Sequence, residues 1–383
     1  MKSGLGFLSL ACLVASLCAG ASRAHSATNA AAVPVGGITT HTFFFVGGSY
    51  AGSPGNQVMH GQMFVEKLTP ARRLRRYPIV LIHGAAQTAT NWMGTPDGRE
   101  GWASFFASKG YVVYLVDQPA RGRSAWQPGI DGDLRAYDAQ SIEKRFTAPE
   151  LYNLWSQARL HTQWPGTGPK PGRVGDPIFD QFYASQVSSL ASNAETQVLN
   201  EKAGAALLDR IGPAILLTHS QSGPIGWLIA DVRPKLVKAI VALEPSGPPF
   251  QDAVFTSDKA RSWGLTDIPI AYDPRITDPG QLQIEQQPAP DKPELTRCWG
   301  QKTPARSLVN LRSVPVMLVT SEASYHAAYD HCTARYLVQA GVTVDFVRLE
   351  TRGIHGNGHM MMLEKNNLQI SQLISAWLGN HVR

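Results

Sequence analysis

The chain has 383 residues, 43% of them apolar and 17% charged, enough to bury a large core and too apolar for a disordered or highly charged tail protein. Its formal charge of +6 is spread thinly. The densest basic cluster, "RRLRR" at 72–76, stands just before a strand-like run and reads as a solvated turn, so no nucleic-acid partner is expected.

In chain order, Lys2, the apolar run "LGFLSLACLVASLCAGA" and the small residues around "AGA" and "SRA" read as a secretory signal peptide over residues 1–24, cleaved near Ala21 or Ala24. The run is short for a retained membrane helix, and neither Cys12 nor Cys18 follows a lipoprotein-type pattern, so no stable membrane anchor is expected. Residues 25–383 then read as one domain, secreted or periplasmic. Two cysteines survive processing, Cys298 and Cys332, and export makes a disulfide between them the expected state.

The runs "HTFFFVGGSY" (41–50) and "GQMFVEKL" (61–68) predict an antiparallel hairpin. Beyond it, continuous Val/Ile/Leu runs alternate with helical stretches: "YPIVLIHG" from 77, "GWASFFASKG" from 101, "YVVYLVD" from 111, "AETQVLNEKAGAALLDRIG" from 194 and "AILLTHS" from 214. "KAIVALE" from 238, "VPVMLVTSE" from 314, a helix around "AAYDHCTARYLVQAG", "TVDFVRLE" from 343 and a closing helix "NNLQISQLISAWLG" complete the series. Strands of this kind are buried on both faces, which predicts an α/β fold with a mostly parallel sheet between helices. Two stretches interrupt the alternation. Residues 120–192 carry Trp126, Trp155, Trp164, Phe179, Phe182 and Tyr183 among Pro and Gly, and 246–312 is Pro-rich. Both follow strand C-termini, where ligands bind in open α/β sheets, and read as lid insertions.

"LLTHSQSG" (216–223) offers two serines at a strand-to-helix turn. A strained nucleophile there needs small residues two positions to either side. Ser220 has Thr218 and Ser222; Ser222 would have Pro224, which fits better in the first turn of the helix "SGPIGWLIADV". Ser220 is therefore the expected nucleophile. The turn after "VLIHG" offers the Ala85 N–H, and the elbow the Gln221 N–H, as oxyanion donors. The base should be a late histidine in "GIHGNGHMMMLEKNN", where Gly356 and Gly358 disfavour a helix, so His355 and His359 are not a helical zinc pair. His359, read as standing just before the last helix, is preferred. Two acids compete. Glu322 follows the seventh strand, whereas Glu244 closes the apolar run of the sixth, where a carboxylate is costly without a partner such as a histidine N–H.

The segments 81–125, "THSQSG", "LEPSG" and "GIHGNGHMMMLEKNNLQ" resemble the exported bacterial esterases of the α/β-hydrolase fold with a Ser-Glu-His triad whose glutamate follows strand six. The resemblance implies Ser220, Glu244 and His359 as triad, no cofactor, no metal, and a small-molecule ester as substrate. Trp92 and the aromatics of 120–192 could shape an apolar pocket, though for any one of them core packing is the commoner role. A lactonase or amidase would use the same triad, and an exported binding protein on the same scaffold is the rival from another class.

Overall fold

In a computed structural model, which describes residues 37–382, the hairpin forms from β1 (Ile38–Ala51) and β2 (Val58–Pro70). The leader expected over residues 1–24 lies outside the described residues. Six short strands follow: β3 (Ile79–Ile82), β4 (Val113–Asp117), β5 (Ala214–His219), β6 (Val237–Leu243), β7 (Val316–Thr320) and β8 (Val344–Arg348). They make one eight-stranded sheet in the order β1-β2-β4-β3-β5-β6-β7-β8. β2 pairs antiparallel with β1 and β4, and every later pairing is parallel. The sheet is thus an α/β-hydrolase sheet with an N-terminal antiparallel hairpin.

The parallel strands are buried on both faces because their side chains alternate between two cores. Val80, Ile82, Leu216 and Ile240 face one core with helices α3 (Asn193–Ile211), α4 (Ser222–Val232) and α5 (Asp330–Gln339). Ile79, Leu81, Leu217 and Val241 face the other, with α1 (Trp102–Ser108), α2 (Pro177–Ala184) and α6 (Asn367–His381). Helix ends follow local chemistry: the Ser192 side chain accepts the Glu195 N–H at the start of α3, and Gly212 ends it at φ 80°, a conformation that favours glycine.

Apart from α2, the interrupting stretches contain only short pieces. In 120–192, Leu134–Arg135 pairs with Ser189–Leu190, and Glu143–Thr147 forms a π-helical turn. In 246–312, Ile284–Gln286 pairs with Trp299–Gln301, and Tyr272–Asp273 with Ser307–Leu308. Cys298 and Cys332 are joined in a disulfide, with Cα atoms 5.1 Å apart, that ties the second stretch to α5. Among the described residues no helix is long and apolar enough to cross a membrane.

Candidate active site

β5 ends at His219 and α4 starts at Ser222, so the chain turns within two residues and Ser220 is forced to φ 56°. Such backbone costs roughly 1–3 kcal/mol in a non-glycine residue and persists only where the surroundings over-determine it. Here the Ser220 N–H donates to the Leu243 carbonyl (3.0 Å), and the Ser220 carbonyl accepts from Gly223 and Ser246 N–H (both 2.9 Å). The crowding is real: a Cβ on Gly223 would lie 2.3 Å from Pro245 Cβ. Ser222 is fully buried, its hydroxyl donating to the Ile82 carbonyl (2.8 Å) and accepting from the His219 N–H (2.8 Å). Only Ser220 is half-buried and faces the cavity.

The two acids and two histidines separate into two pairs. Glu244, fully buried just past β6, receives His359 Nδ1–H on Oε2 at 2.6 Å. Ser324 Oγ also donates to Oε2, and the Ser321 N–H to Oε1, each at 2.7 Å. Glu322 instead faces exposed His355, with Nδ1 3.2 Å from Oε1, and accepts the Gly356 N–H at 2.8 Å. Burial and the Asp330 carboxylate push the Glu244 carboxyl above its usual range, against the pull of the Ser324 and Ser321 donors. Burial, then His219 and His326, hold His359 well below the ordinary imidazole value.

These effects favour the neutral ring, and with Nδ1–H meeting Glu244 its Nε2 is left as the acceptor; His359 lines the cavity. Phe146 stacks on its ring at 5.1 Å, with Tyr325 at 4.9 Å and His326 at 4.9 Å on the other sides. Nε2 lies 3.4 Å from the Tyr325 hydroxyl, and the Ser220 hydroxyl is not hydrogen-bonded to it. Such contacts commonly tighten only once substrate is bound. His219 supports the same loop from behind, donating Nε2–H to the His359 carbonyl at 3.0 Å; burial takes its pKa down to about 3, so it stays neutral. His326 forms a second buried pair, Nδ1 to Asp330 at 2.8 Å, with Tyr329 on Nε2 at 3.1 Å.

Ala85 and Gln221 line the cavity beside Ser220, and neither N–H donates to a protein acceptor among the described residues. One buried side chain holds both turns in place. Arg121 donates to the Gly84 carbonyl (2.8 Å) and to Gln221 Oε1 (3.0 Å), and its Nε has no partner. Burial pushes this guanidinium down to about 10. His83, kept neutral by burial and by Arg121, donates Nδ1–H to the same Gly84 carbonyl at 2.9 Å.

The cavity measures about 410 Å³. Trp92 does not shape it: it is completely buried in the core below, edge-on to His219. Trp155, Trp164, Phe179 and Phe182 are buried as well, and none of the six aromatics noted in 120–192 lines the cavity. Two other aromatics of 120–192, Tyr137 and Phe146, do line it, together with Arg145, Phe255, Arg261 and Tyr325.

The last helix starts at Asn367, eight residues after His359 rather than directly behind it. The Glu364 carboxylate folds the intervening turns back, accepting the Gly358 N–H (2.9 Å) and Asn357 Nδ2 (2.7 Å). The same carboxylate binds His161, which is buried between it (2.9 Å) and Glu150 (2.8 Å). Burial opposes the charge on His161, but the Glu150 and Glu364 carboxylates outweigh it and raise its pKa to about 9.

Donor atoms of Glu244, His326 and His359 lie within 4.8 Å of one another, as do those of Cys298, His331 and Cys332. Neither set suits a metal as it stands: the first three are engaged with one another or with Asp330 and Tyr329, and the two cysteines are bonded together.

The family model described as "Alpha/beta hydrolase family" matches residues 79–370, from β3 into α6. A protein described as "Probable secreted lipase phiG", from Fungal sp. (strain ATCC 74256), is 49% identical over 343 residues, covering 89% of this chain and 90% of its own. A solved structure titled as a novel bacterial esterase is 25% identical, with a TM-score of 0.58, covering 90% of this chain and 97% of that one. The chain belongs to the alpha/beta hydrolase family.

Proposed function

We propose that this member of the alpha/beta hydrolase family is an exported carboxylic ester hydrolase working through an acyl-enzyme on Ser220. The observation that carries the proposal is the 2.6 Å contact from Glu244 to His359 Nδ1, which leaves Nε2 unprotonated and facing the cavity that holds Ser220. In the first step Ser220 Oγ attacks the ester carbonyl carbon and its proton passes to Nε2; the carbonyl oxygen becomes an oxyanion taken up by the Ala85 and Gln221 N–H groups. Collapse breaks the bond to the alcohol oxygen, which leaves with the proton from Nε2. Water then repeats the sequence against the acyl-enzyme, releasing the acid and restoring the Ser220 hydroxyl. This chemistry calls on no metal or cofactor.

The description of the 49% identical relative as a secreted lipase supports both ester cleavage and export, and the disulfide is in keeping with an oxidising compartment. On the same reading, residues 120–192 and 246–312 are coverings of the site within a single domain. Nitrophenyl ester turnover tests the proposal. The wild type should hydrolyse these esters, Ser220→Ala should reduce kcat by about 10⁴-fold or more, and a fluorophosphonate should label Ser220 alone. Turnover undiminished in Ser220→Ala would overturn it.

A further inference from the structure

The cavity contains a guanidinium that the protein itself does not neutralise. Arg145 is half-buried in the cavity wall, yet among the described residues no carboxylate lies within ion-pair distance of it and no hydrogen bond engages it. Its own helical turn supplies no counter-charge: Glu143 is turned away, accepting the Val174 N–H (2.8 Å) and the Tyr152 hydroxyl (2.8 Å). Two of the three carboxylates that line the cavity are engaged elsewhere. Asp252 binds Arg261 at 2.6 Å, and Asp267 accepts from Gln197 (2.6 Å) and the Arg261 N–H (2.8 Å). Asp258 is exposed.

Arg145 is also held in position. Its guanidinium lies over the Phe255 ring at 4.3 Å, and Phe255 packs on Tyr325 at 5.0 Å. The π-helical turn Glu143–Thr147 carries Arg145 and Phe146 into the cavity wall together, Phe146 stacking directly on His359. Such turns are rare and recur at functional sites. A fixed, half-desolvated guanidinium without a partner presents a fork of donors matched to a carboxylate. A second cation, Arg135, lines the same cavity with one nitrogen on the Tyr137 hydroxyl at 2.8 Å.

We infer that Arg145 receives a carboxylate of the substrate, so that the ester cleaved at Ser220 is one carrying a negative charge several bonds from the scissile carbonyl. This rests on the esterase reading above, and the two fail differently. Two matched pairs of probes serve: mono-4-nitrophenyl adipate against its methyl diester, with the charge on the acyl side, and 4-acetoxybenzoate against its methyl ester, with the charge on the leaving side. At low ionic strength kcat/KM should favour the charged member of at least one pair by about tenfold or more, as expected of a charge-assisted contact. The preference should shrink as salt is raised, fall to near unity in Arg145→Met and survive in part in Arg145→Lys. Neutral members turned over as well as charged ones in both pairs, or a preference intact in Arg145→Met, would overturn the inference while leaving the esterase reading standing. No turnover of any of the four would instead sink that reading. If Arg145→Met does not fold, the wild-type ratios and their salt dependence decide.

Discussion

At His359 burial and two neighbouring imidazoles, His219 and His326, favour the uncharged ring and prevail over the Glu244 carboxyl that Nδ1–H meets. A base must be unprotonated to act, and a lowered pKa means that protonation comes late on acidification. The acid limb of kcat/KM is therefore expected below pH 6.5, with full activity at pH 6.5 to 7; a profile still rising through pH 7.5 would contradict the environment described. The separate Glu244–His359 and Glu322–His355 pairs make a second prediction. Glu244→Gln should cost about 10³- to 10⁴-fold in kcat by releasing the imidazole from its tautomer, whereas Glu322→Gln should leave kcat little changed, because its partner is 62% exposed and outside the cavity. Steady-state kinetics of the two variants decides between the acids.

Elements differ in how plainly they could be read. Each parallel strand appears in the sequence as a Val/Ile/Leu run because both of its faces are buried, and the elbow at Ser220 could be read because only small residues fit around it. The walls of the cavity could not. Arg145 and Phe146 owe their place to a π-helical turn whose irregularity erases any periodic pattern, and Arg121 acts through carbonyl and amide contacts that join residues 37 and 100 positions apart. Trp92 looked like a pocket residue from its nearness in sequence to the oxyanion turn, yet its bulk is spent in the core. The closing helix is legible almost from its first residue, but the gap between it and His359 is not, for want of a signal that Glu364 bends the intervening turns back on Gly358. That bend yields a prediction of its own. The raised pKa of His161, about 9, means its bridge between Glu150 and Glu364 contributes stability fully below pH 6.5, lost as pH rises through 9. Thermal denaturation should show a loss on the order of 2 to 3 kcal/mol across that window, and His161→Gln, less stable at pH 6, should show almost none of this dependence.

For the molecule as a whole, the disulfide bears on folding rather than on chemistry. Cys298 and Cys332 enclose a loop of 34 residues and neither lines the cavity, so breaking the link should cost about 3 to 4 kcal/mol through the unfolded chain. Chemical denaturation of the Cys298→Ser/Cys332→Ser double variant against wild type measures it, with kcat at low temperature expected to hold. A chain that was no less stable without the link would show that the loop is already ordered when unfolded. The stitching of 120–192 to the histidine segment has a practical side. The Thr162 N–H donates to the Gly356 carbonyl, the Lys365 N–H to Gln163, and Trp155 Nε1 to Ala323. An engineer wishing to admit bulkier molecules would be tempted to shorten that span. Doing so would pull out the footing beneath His359, and the wider entrance would come with a loss of activity; remodelling around Phe255 disturbs the same footing, because that ring packs on Trp155 at 5.9 Å and on Tyr325 at 5.0 Å.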